Sequence, residues 1–396
     1  MTITMSQHQR SRWNSSANAV SARLLVVVIA ALSLVVALTF VSFASFSNSS
    51  QTTAATQTPS LGINPEQIYS NVNESVVTIQ GVELQSAEFG STPVGVLGTG
   101  FVIDYSNSFY EVTNFHVAGT AATTVNLTVT FADGNSYAAK VIGSDPYSDL
   151  AVVSALGVPQ SEYHPINIES SSTLQIGQYV VAVGNPFGLA RSMTFGIISQ
   201  LGRTIQDPVA GNFSIAGAIQ FSASINPGNS GGVLVNSNSS VVGITTAVVS
   251  GSQGVGFAIP SSTITQELPS LIENGSYNLH SYLGVSGANM NYQLARAAGT
   301  NVTYGVLIQS VAPASPASIS GLKVGNKTVT VNGMQFLVGG DIIVSINGTR
   351  IVDTDSLATY LAQNTISGNS VVFGIIRNGS PLSVRVTLGT RPPPSG

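Results

Sequence analysis

A single serine sits among glycines in GNSGG, residues 228–232, within the longer stretch SASINPGNSGGVLVN. A serine hydroxyl is a weak nucleophile until a neighbouring base removes its proton. That base needs an acidic group to hold its tautomer and to stabilise the cation it becomes. The chain has four histidines, His8, His116, His164 and His280. Of these, His116 lies in a strongly strand-forming context upstream of the serine, in EVTNFHVAGTA. Asp149, in SDPYSDLAVV, comes just before an apolar run that reads as a buried strand. Taken singly, each residue has a plain structural reading: a strand-edge histidine, a turn aspartate, a glycine-rich turn. Taken together, in the order His116, Asp149, Ser230, they form a candidate base, orienting acid and nucleophile.

Composition removes most other chemistries. There is no cysteine, so disulfides, thiolate catalysis and cysteine-based metal sites are excluded. Four scattered histidines are too few for a multi-histidine metal centre, and no metal or other cofactor is expected. Only 8% of the residues are charged and the formal net charge is −4. Soluble domains usually carry about 25% charged residues. No basic surface for a nucleic acid is therefore expected.

The positioning elements begin near the N-terminus. Residues 24–46, LLVVVIAALSLVVALTFVSFASF, carry no charge, and Arg10, Arg12 and Arg23 precede them. A bilayer span needs about 20 apolar residues, and positive charge stays on the cytoplasmic side. The expectation is a cytoplasmic segment 1–23, a single transmembrane anchor 24–46 and a Ser/Thr-rich linker 47–63. The rest of the chain would then lie on the extracytoplasmic side of the cell membrane. A signal peptide cleaved after Ala44 is the alternative reading.

Beyond a short helical segment starting at residue 64, the chain reads as many short runs rich in Val, Ile, Thr and Phe. Examples are VLGTGFVID, YVVAVGNP and AIQFSASI, punctuated by Gly, Pro, Asn and Asp. Strands spaced this way without alternating helices point to antiparallel barrels or a sandwich. SSTITQELPSLIENG, residues 261–275, has helical spacing of its apolar residues and a natural stop at Asn274-Gly275. It closes a first domain, 64–272. A smaller α+β module spans 278–391.

Across 64–272 the motifs GTGFVID, TNFHVAG, SDPYSDLAVV, VAVGNPFGLARSMTFGIIS, INPGNSGGVLVN and GVGFAIP resemble the HtrA/Deg family of trypsin-like serine proteases. The resemblance implies a mainly β fold: a chymotrypsin-like double β-barrel protease domain, then an α+β PDZ domain, preceded here by the one N-terminal transmembrane helix. It implies a catalytic triad of His116, Asp149 and Ser230, with an oxyanion hole from the backbone N–H groups of Gly228 and Ser230. It also implies a substrate-binding region at Ser224 and Ile225, and at Thr245, Thr246 and Ala247, where the substrate would add as a strand. No acidic residue lies in 222–229, so small or medium aliphatic side chains are expected at the cleavage site. Four positions depart from the family pattern: Phe221 and Ser222 before the ASIN segment, Val233 after GNSGG, and Phe115 before the histidine.

In the C-terminal module, YLGV at Tyr282, Leu283, Gly284 and Val285, followed by GVLIQSVAPASPASISGL and GGDIIVSING, resembles a PDZ domain. The resemblance implies a groove that takes a peptide C-terminus as an added strand, with the YLGV backbone holding its carboxylate. KVGNKTVTVNGMQFLVGG, after Leu322, reads as an inserted surface hairpin. Family members are commonly trimers, so the implied partners are polypeptide substrates, peptide C-termini, the membrane and two further copies of the chain. The function expected is that of an extracytoplasmic serine endopeptidase acting on misfolded or signal-bearing proteins. The alternative is a non-proteolytic chaperone or peptide-binding scaffold.

Overall fold

Several strands of the first domain are apolar at consecutive positions, which an ordinary half-exposed strand would not be. In LAVV and YVVAVG both faces of the strand must therefore be covered. The computed structural model describes residues 63–87, 90–120, 122–185, 191–207, 213–246 and 254–392, and it shows how. Residues 1–62 and Ala247 lie outside the described residues, and with them the expected anchor and most of the linker. Among the described residues no helix is long and apolar enough to cross a membrane.

The first closed barrel runs β1 (Val76–Ala87), β2 (Gly90–Tyr105), β3 (Ser108–Thr113), β4 (Thr124–Thr130), β5 (Ser136–Asp145) and β6 (Leu150–Ala155), in the order β1-β2-β3-β6-β5-β4. The second holds β7 (Tyr179–Gly184), β8 (Ser192–Asp207), β9 (Phe213–Phe221), β10 (Val233–Val235), β11 (Val241–Thr246) and β12 (Gly256–Pro260), in the order β10-β11-β12-β9-β8-β7. Every pairing is antiparallel, and the alternation of side chains sorts residues between two cores. On β6, Ala151 and Val153 fill the first barrel, while Leu150 and Val152 join a layer shared between the barrels. On β7, Val180 and Ala182 fill the second barrel, while Val181 and Val183 join that same layer.

Two helices seal the shared layer. Helix α1 (Pro65–Val72) is capped by Asn64, whose Oδ1 accepts from Gln67 N at 3.2 Å, and buries Ile68 and Val72. A one-turn helix α2 (Phe115–Ala118) follows β3 directly. Helix α3 (Ser261–Asn274) buries Ile264, Leu268 and Leu271, and ends at Gly275 in the left-handed region, φ 77°. Its C-terminal end lies on β5 at Gly143, where an added Cβ would be 2.1 Å from Leu271 O. Only glycine leaves room for that approach.

The C-terminal module contains α4 (Tyr292–Ala298), α5 (Pro316–Ile319) and α6 (Thr354–Asn364). Its strands are β13 (Ser281–Tyr282), β14 (Val285–Asn289), β15 (Val306–Val311), β16 (Lys327–Val331), β17 (Met334–Val338), β18 (Ile342–Ile346), β19 (Thr349–Arg350), β20 (Ser370–Arg377), β21 (Ser380–Thr387) and β22 (Gly389–Thr390). The main sheet runs β14-β15-β18-β20-β21, and β13 pairs with β22 to join the module's two ends. The stretch read as a surface insertion is the β16–β17 hairpin. It is more than a surface feature: Val331 and Val338 are buried with Leu294 and Ala295 of α4 in a small core of their own. The hairpin is also tied to β15, because Gln309 donates to Leu337 O at 3.0 Å and accepts from Leu337 N at 2.9 Å.

Barrels and module pack as one unit, Gly62–Gly396. Helix α6 lies against β8 and β9, with Thr359 donating to Gly202 O at 3.1 Å. Arg203 and Asp355 face each other across this junction at 3.8 Å. Both side chains are partly exposed, so the pair adds little by itself.

Glu111 on β3 is a buried carboxyl inside this frame. Its Oε2 accepts from Ala155 N at 3.1 Å, and Oε1 has no partner among the described residues. Burial pushes its pKa from 4.5 up to about 8. The folded state therefore favours the protonated form. The stability this gives is full below about pH 4.5 and is lost as pH rises to about 8. Glu111→Gln keeps the uncharged shape. It is expected to melt like the unmutated chain at about pH 5 and at a clearly higher temperature at about pH 9, measured by circular dichroism.

Candidate active site

The turn between β5 and β6 delivers Asp149 with φ 53°, a left-handed conformation uncommon outside glycine. Asp149 is fully buried. A buried carboxylate must be paired and hydrogen-bonded, and this one is. Its Oδ1 accepts from the His116 backbone N–H at 3.0 Å, and its two oxygens lie 3.0 and 2.9 Å from His116 Nδ1. Asn114, the residue before α2, donates from Nδ2 to Asp149 O at 2.9 Å. The start of α2 thus grips both the side chain and the backbone of the aspartate. With Nδ1 turned to the carboxylate, Nε2 is the nitrogen left to act as base.

Ser230 sits on a turn whose glycines have separate tasks. Gly228 has φ 94° and Gly231 φ 84°. A Cβ on Gly231 would lie 1.9 Å from Thr99 O, and one on Gly232 would lie 2.5 Å from Val183 O. The turn is fixed to both barrels. Ser230 O accepts from Thr99 N at 2.8 Å, Gly228 O from Thr99 Oγ1 at 2.6 Å, and Gly231 N donates to Thr245 O at 2.9 Å. Asn229 O accepts from Gly232 N and from Thr245 Oγ1. The Ser230 turn also meets the helix that carries His116. At Gly98 on β2, an added Cβ would strike Val117, the neighbour of His116, at 2.5 Å and Ser230 O at 3.1 Å. First-barrel and second-barrel parts of the site converge at that point.

The residues expected to bind substrate are placed differently from one another. Ser224 is exposed, and its carbonyl accepts from Thr194 Oγ1 at 3.0 Å; Ile225 packs against the second-barrel core. Thr245 departs from the expectation that its backbone would pair with an added strand. Its N–H donates to Gly232 O and its C=O accepts from Gly231 N, so its backbone is used in holding the nucleophile turn. Thr246 points its hydroxyl at Asp149 Oδ2, at 3.3 Å. It therefore touches the carboxylate, a role the sequence reading did not assign to it. Thr99 and Asn114 were missed as well. The available signal was a small polar residue inside each of the apolar motifs GTGF and TNFHV.

In the C-terminal module, Tyr282, Leu283, Gly284 and Val285 line a groove of about 340 Å³ together with Leu357, Ala358 and Leu361 of α6. Gly284 is required there: its φ is 82°, and a Cβ would be 2.3 Å from that of Ser315. The groove also touches the second barrel, through Thr204, Ser214 and Ala216.

Residues 98–244 match the trypsin-like peptidase domain, and residues 281–388 match the PDZ domain. The chain thus joins one trypsin-like peptidase domain to one PDZ domain, and its homologues are the HtrA serine endoproteases of the DegP and DegQ type. It is 37% identical over 302 residues to the periplasmic pH-dependent serine endoprotease DegQ of Escherichia coli, covering 75% of this chain and 60% of that protein. It is also 37% identical to the chloroplastic Protease Do-like 1 of Arabidopsis thaliana, over 74% of this chain and 64% of the relative. The chain thus spans less than two thirds of the length of these relatives. Among solved structures, the HtrA-type protease AlgW with a tripeptide matches with TM-score 0.62 and 28% identity, over 84% of this chain and 99% of that one.

Thr99 is the residue on which this arrangement can be tested structurally. Its hydroxyl donates to Gly228 O and accepts from Asn185 N at 2.9 Å. Thr99→Val keeps the shape and strips both bonds. Leaving a buried polar group unpaired costs about 1–3 kcal/mol. Urea unfolding is expected to show a loss of about that size, and Ser230 is expected to react more slowly with a fluorophosphonate.

Proposed function

We propose that the chain is an HtrA-type serine endoprotease that cleaves polypeptides through His116, Asp149 and Ser230. The observation that carries this reading is the fully buried Asp149 carboxylate, held on both the backbone and the ring of His116 beside the Ser230 turn. In the reaction, Ser230 Oγ attacks the peptide carbonyl carbon as His116 Nε2 takes its proton. His116 then gives that proton to the leaving amine, and water repeats the sequence on the acyl-enzyme. Asp149 stays ionised and stabilises the imidazolium. The N–H groups of Gly228 and Ser230 receive the developing oxyanion, and one such donor is worth about 3–4 kcal/mol.

The peptide-bound AlgW structures support a polypeptide substrate. The second-barrel edge beyond Thr245 would pair with that substrate, while Ser224 and Ile225 would contribute to the pocket for its side chain. The YLGV groove would take a peptide C-terminus. Because the groove also touches barrel strands, its ligand would act on the packing of module against barrel as well as on tethering.

The charge-free run 24–46 after Arg10, Arg12 and Arg23 supports a single-pass anchor that places the protease domain on the extracytoplasmic side. The resemblance supports a homotrimer. Misfolded or signal-bearing extracytoplasmic proteins are the substrates that fit a protease carrying a peptide-binding module.

The test is casein hydrolysis by the full chain, alongside Ser230→Ala and Asp149→Asn. Ser230→Ala is expected to abolish turnover and fluorophosphonate labelling. Asp149→Asn is expected to lower kcat by about 10⁴-fold, because the ring loses its tautomer partner. Equal hydrolysis by the unmutated chain and Ser230→Ala would overturn the proposal. Absence of labelling together with retained suppression of aggregation would favour the scaffold reading.

A further inference from the structure

The five-residue segment Asp145–Asp149 ends in the carboxylate that holds His116, and begins in one the reaction does not use. Asp145 is buried. It shapes its own turn: Oδ1 accepts from Tyr147 N at 3.2 Å and Oδ2 from Ser148 N at 3.1 Å. Two groups outside the turn fasten it. From the start of the C-terminal module, His280 Nε2 meets Asp145 Oδ2 at 2.8 Å. From α3, Glu267 Oε1 accepts from Ser148 Oγ at 2.6 Å. Asp145, Glu267 and His280 bring one side-chain atom each within 4.8 Å of one another.

The charges at this point demand a resolution. Glu267 is 2% exposed, and its Oε2 has no partner among the described residues. Burial, with the Asp145 carboxylate beside it, holds Glu267 well above the usual carboxylate range. The protonated form of Glu267 is therefore favoured in the folded chain, mainly by its burial. Among the described residues, the other titratable groups that face the cluster are Tyr147 on the turn, Tyr277 after α3 and Arg391 near the C-terminal end. Tyr277 and Tyr147 both pack against the His280 ring, and the Arg391 guanidinium covers Tyr147 at 4.5 Å. Arg391 N donates to His280 O at 3.0 Å, so both ends of the module meet this turn.

We propose that Asp145, Glu267 and His280 are positioning residues for Asp149, through which the ends of the PDZ module set the turn that presents the catalytic carboxylate to His116. This rests on the triad reading above. His280 and Arg391 also line the YLGV groove, so the contact with the Asp145 turn lies at the groove's own wall. Tightening the hold of His280 on Asp145 keeps the turn closed, and releasing it leaves Asp145 with only the Tyr147 and Ser148 N–H bonds of the turn itself.

The test compares steady-state peptide hydrolysis and Ser230 labelling by the full chain with those of three variants. His280→Ala is expected to lower kcat about 10-fold and leave KM within about 2-fold, because the loss is one of geometry at the reacting groups. His280→Gln, which retains a donor at similar reach, is expected to recover most of that loss. Glu267→Gln mimics the protonated carboxyl, so it should match the unmutated chain at the acidic end of the pH profile. It should also hold its kcat at alkaline pH, where ionisation of Glu267 makes the unmutated chain decline. A purely structural role for Glu267 would not move that limb. If the unmutated chain cleaves and labels at Ser230 while all three variants keep its kcat and pH profile, the positioning role is overturned and the triad stands. If the unmutated chain shows no Ser230-dependent cleavage, both fall. A kcat lost on chelation and restored by Zn²⁺ would assign the cluster to a cation and overturn positioning by these side chains alone.

Discussion

A fully buried carboxylate is the constraint around which this molecule is arranged. An isolated ionised carboxylate in a protein interior costs far more than a domain's net stability can absorb, so Asp149 is tenable only with its partners in place. Those partners come from both halves of the protease domain. His116 and Asn114 belong to the first barrel, and Thr246 to the second. His116 supplies the close bonds to the carboxylate, and docking of the second barrel adds the Thr246 hydroxyl at 3.3 Å. The same docking brings the Ser230 turn, held by Thr99 of the first barrel and Thr245 of the second, against the helix that carries His116. The site is complete only where the two barrels meet, because the Ser230 turn is bonded to both.

The double use of strands makes that docking strong. A strand such as β7 places Val180 and Ala182 in one core and Val181 and Val183 in another, so few of its positions are free for polar residues. This accounts for a chain with so little charge: the interior takes both faces of many strands, and Asn, Ser and Thr supply much of the remaining polarity. It also explains why so much could be read from sequence. Consecutive apolar residues between turn signals are a local pattern. The order His116, Asp149, Ser230 and the flanking glycines are also visible without coordinates.

What the sequence hid is long-range. Thr99 and Ser230 are far apart in the chain, and nothing local marks that a hydroxyl on β2 will support a carbonyl of the nucleophile turn. Thr245 and Thr246 look equivalent as neighbours in a strand. Only the register shows that one braces Asn229 and the other touches Asp149. His280 is a similar case. By sequence it is an unremarked histidine in a connector, yet it lies against the turn carrying Asp149 because α3 ends on Gly143 of β5. The inserted hairpin could be read as a hairpin, but its private core with α4 depends on a packing surface no local pattern reveals.

The shared wall of the YLGV groove has a thermodynamic consequence. Thr204, Ser214 and Ala216 of the barrel stand beside the groove that α6 and the loop define. If a chain terminus fits fully only when α6 swings off β8 and β9, its apparent dissociation constant is the intrinsic one divided by the fraction of molecules in which the wall has moved. Groove affinity then becomes a gauge of how firmly the module is docked. Substitutions at Gly202 or Arg203, which lie outside the groove, would change it as surely as substitutions in the groove itself.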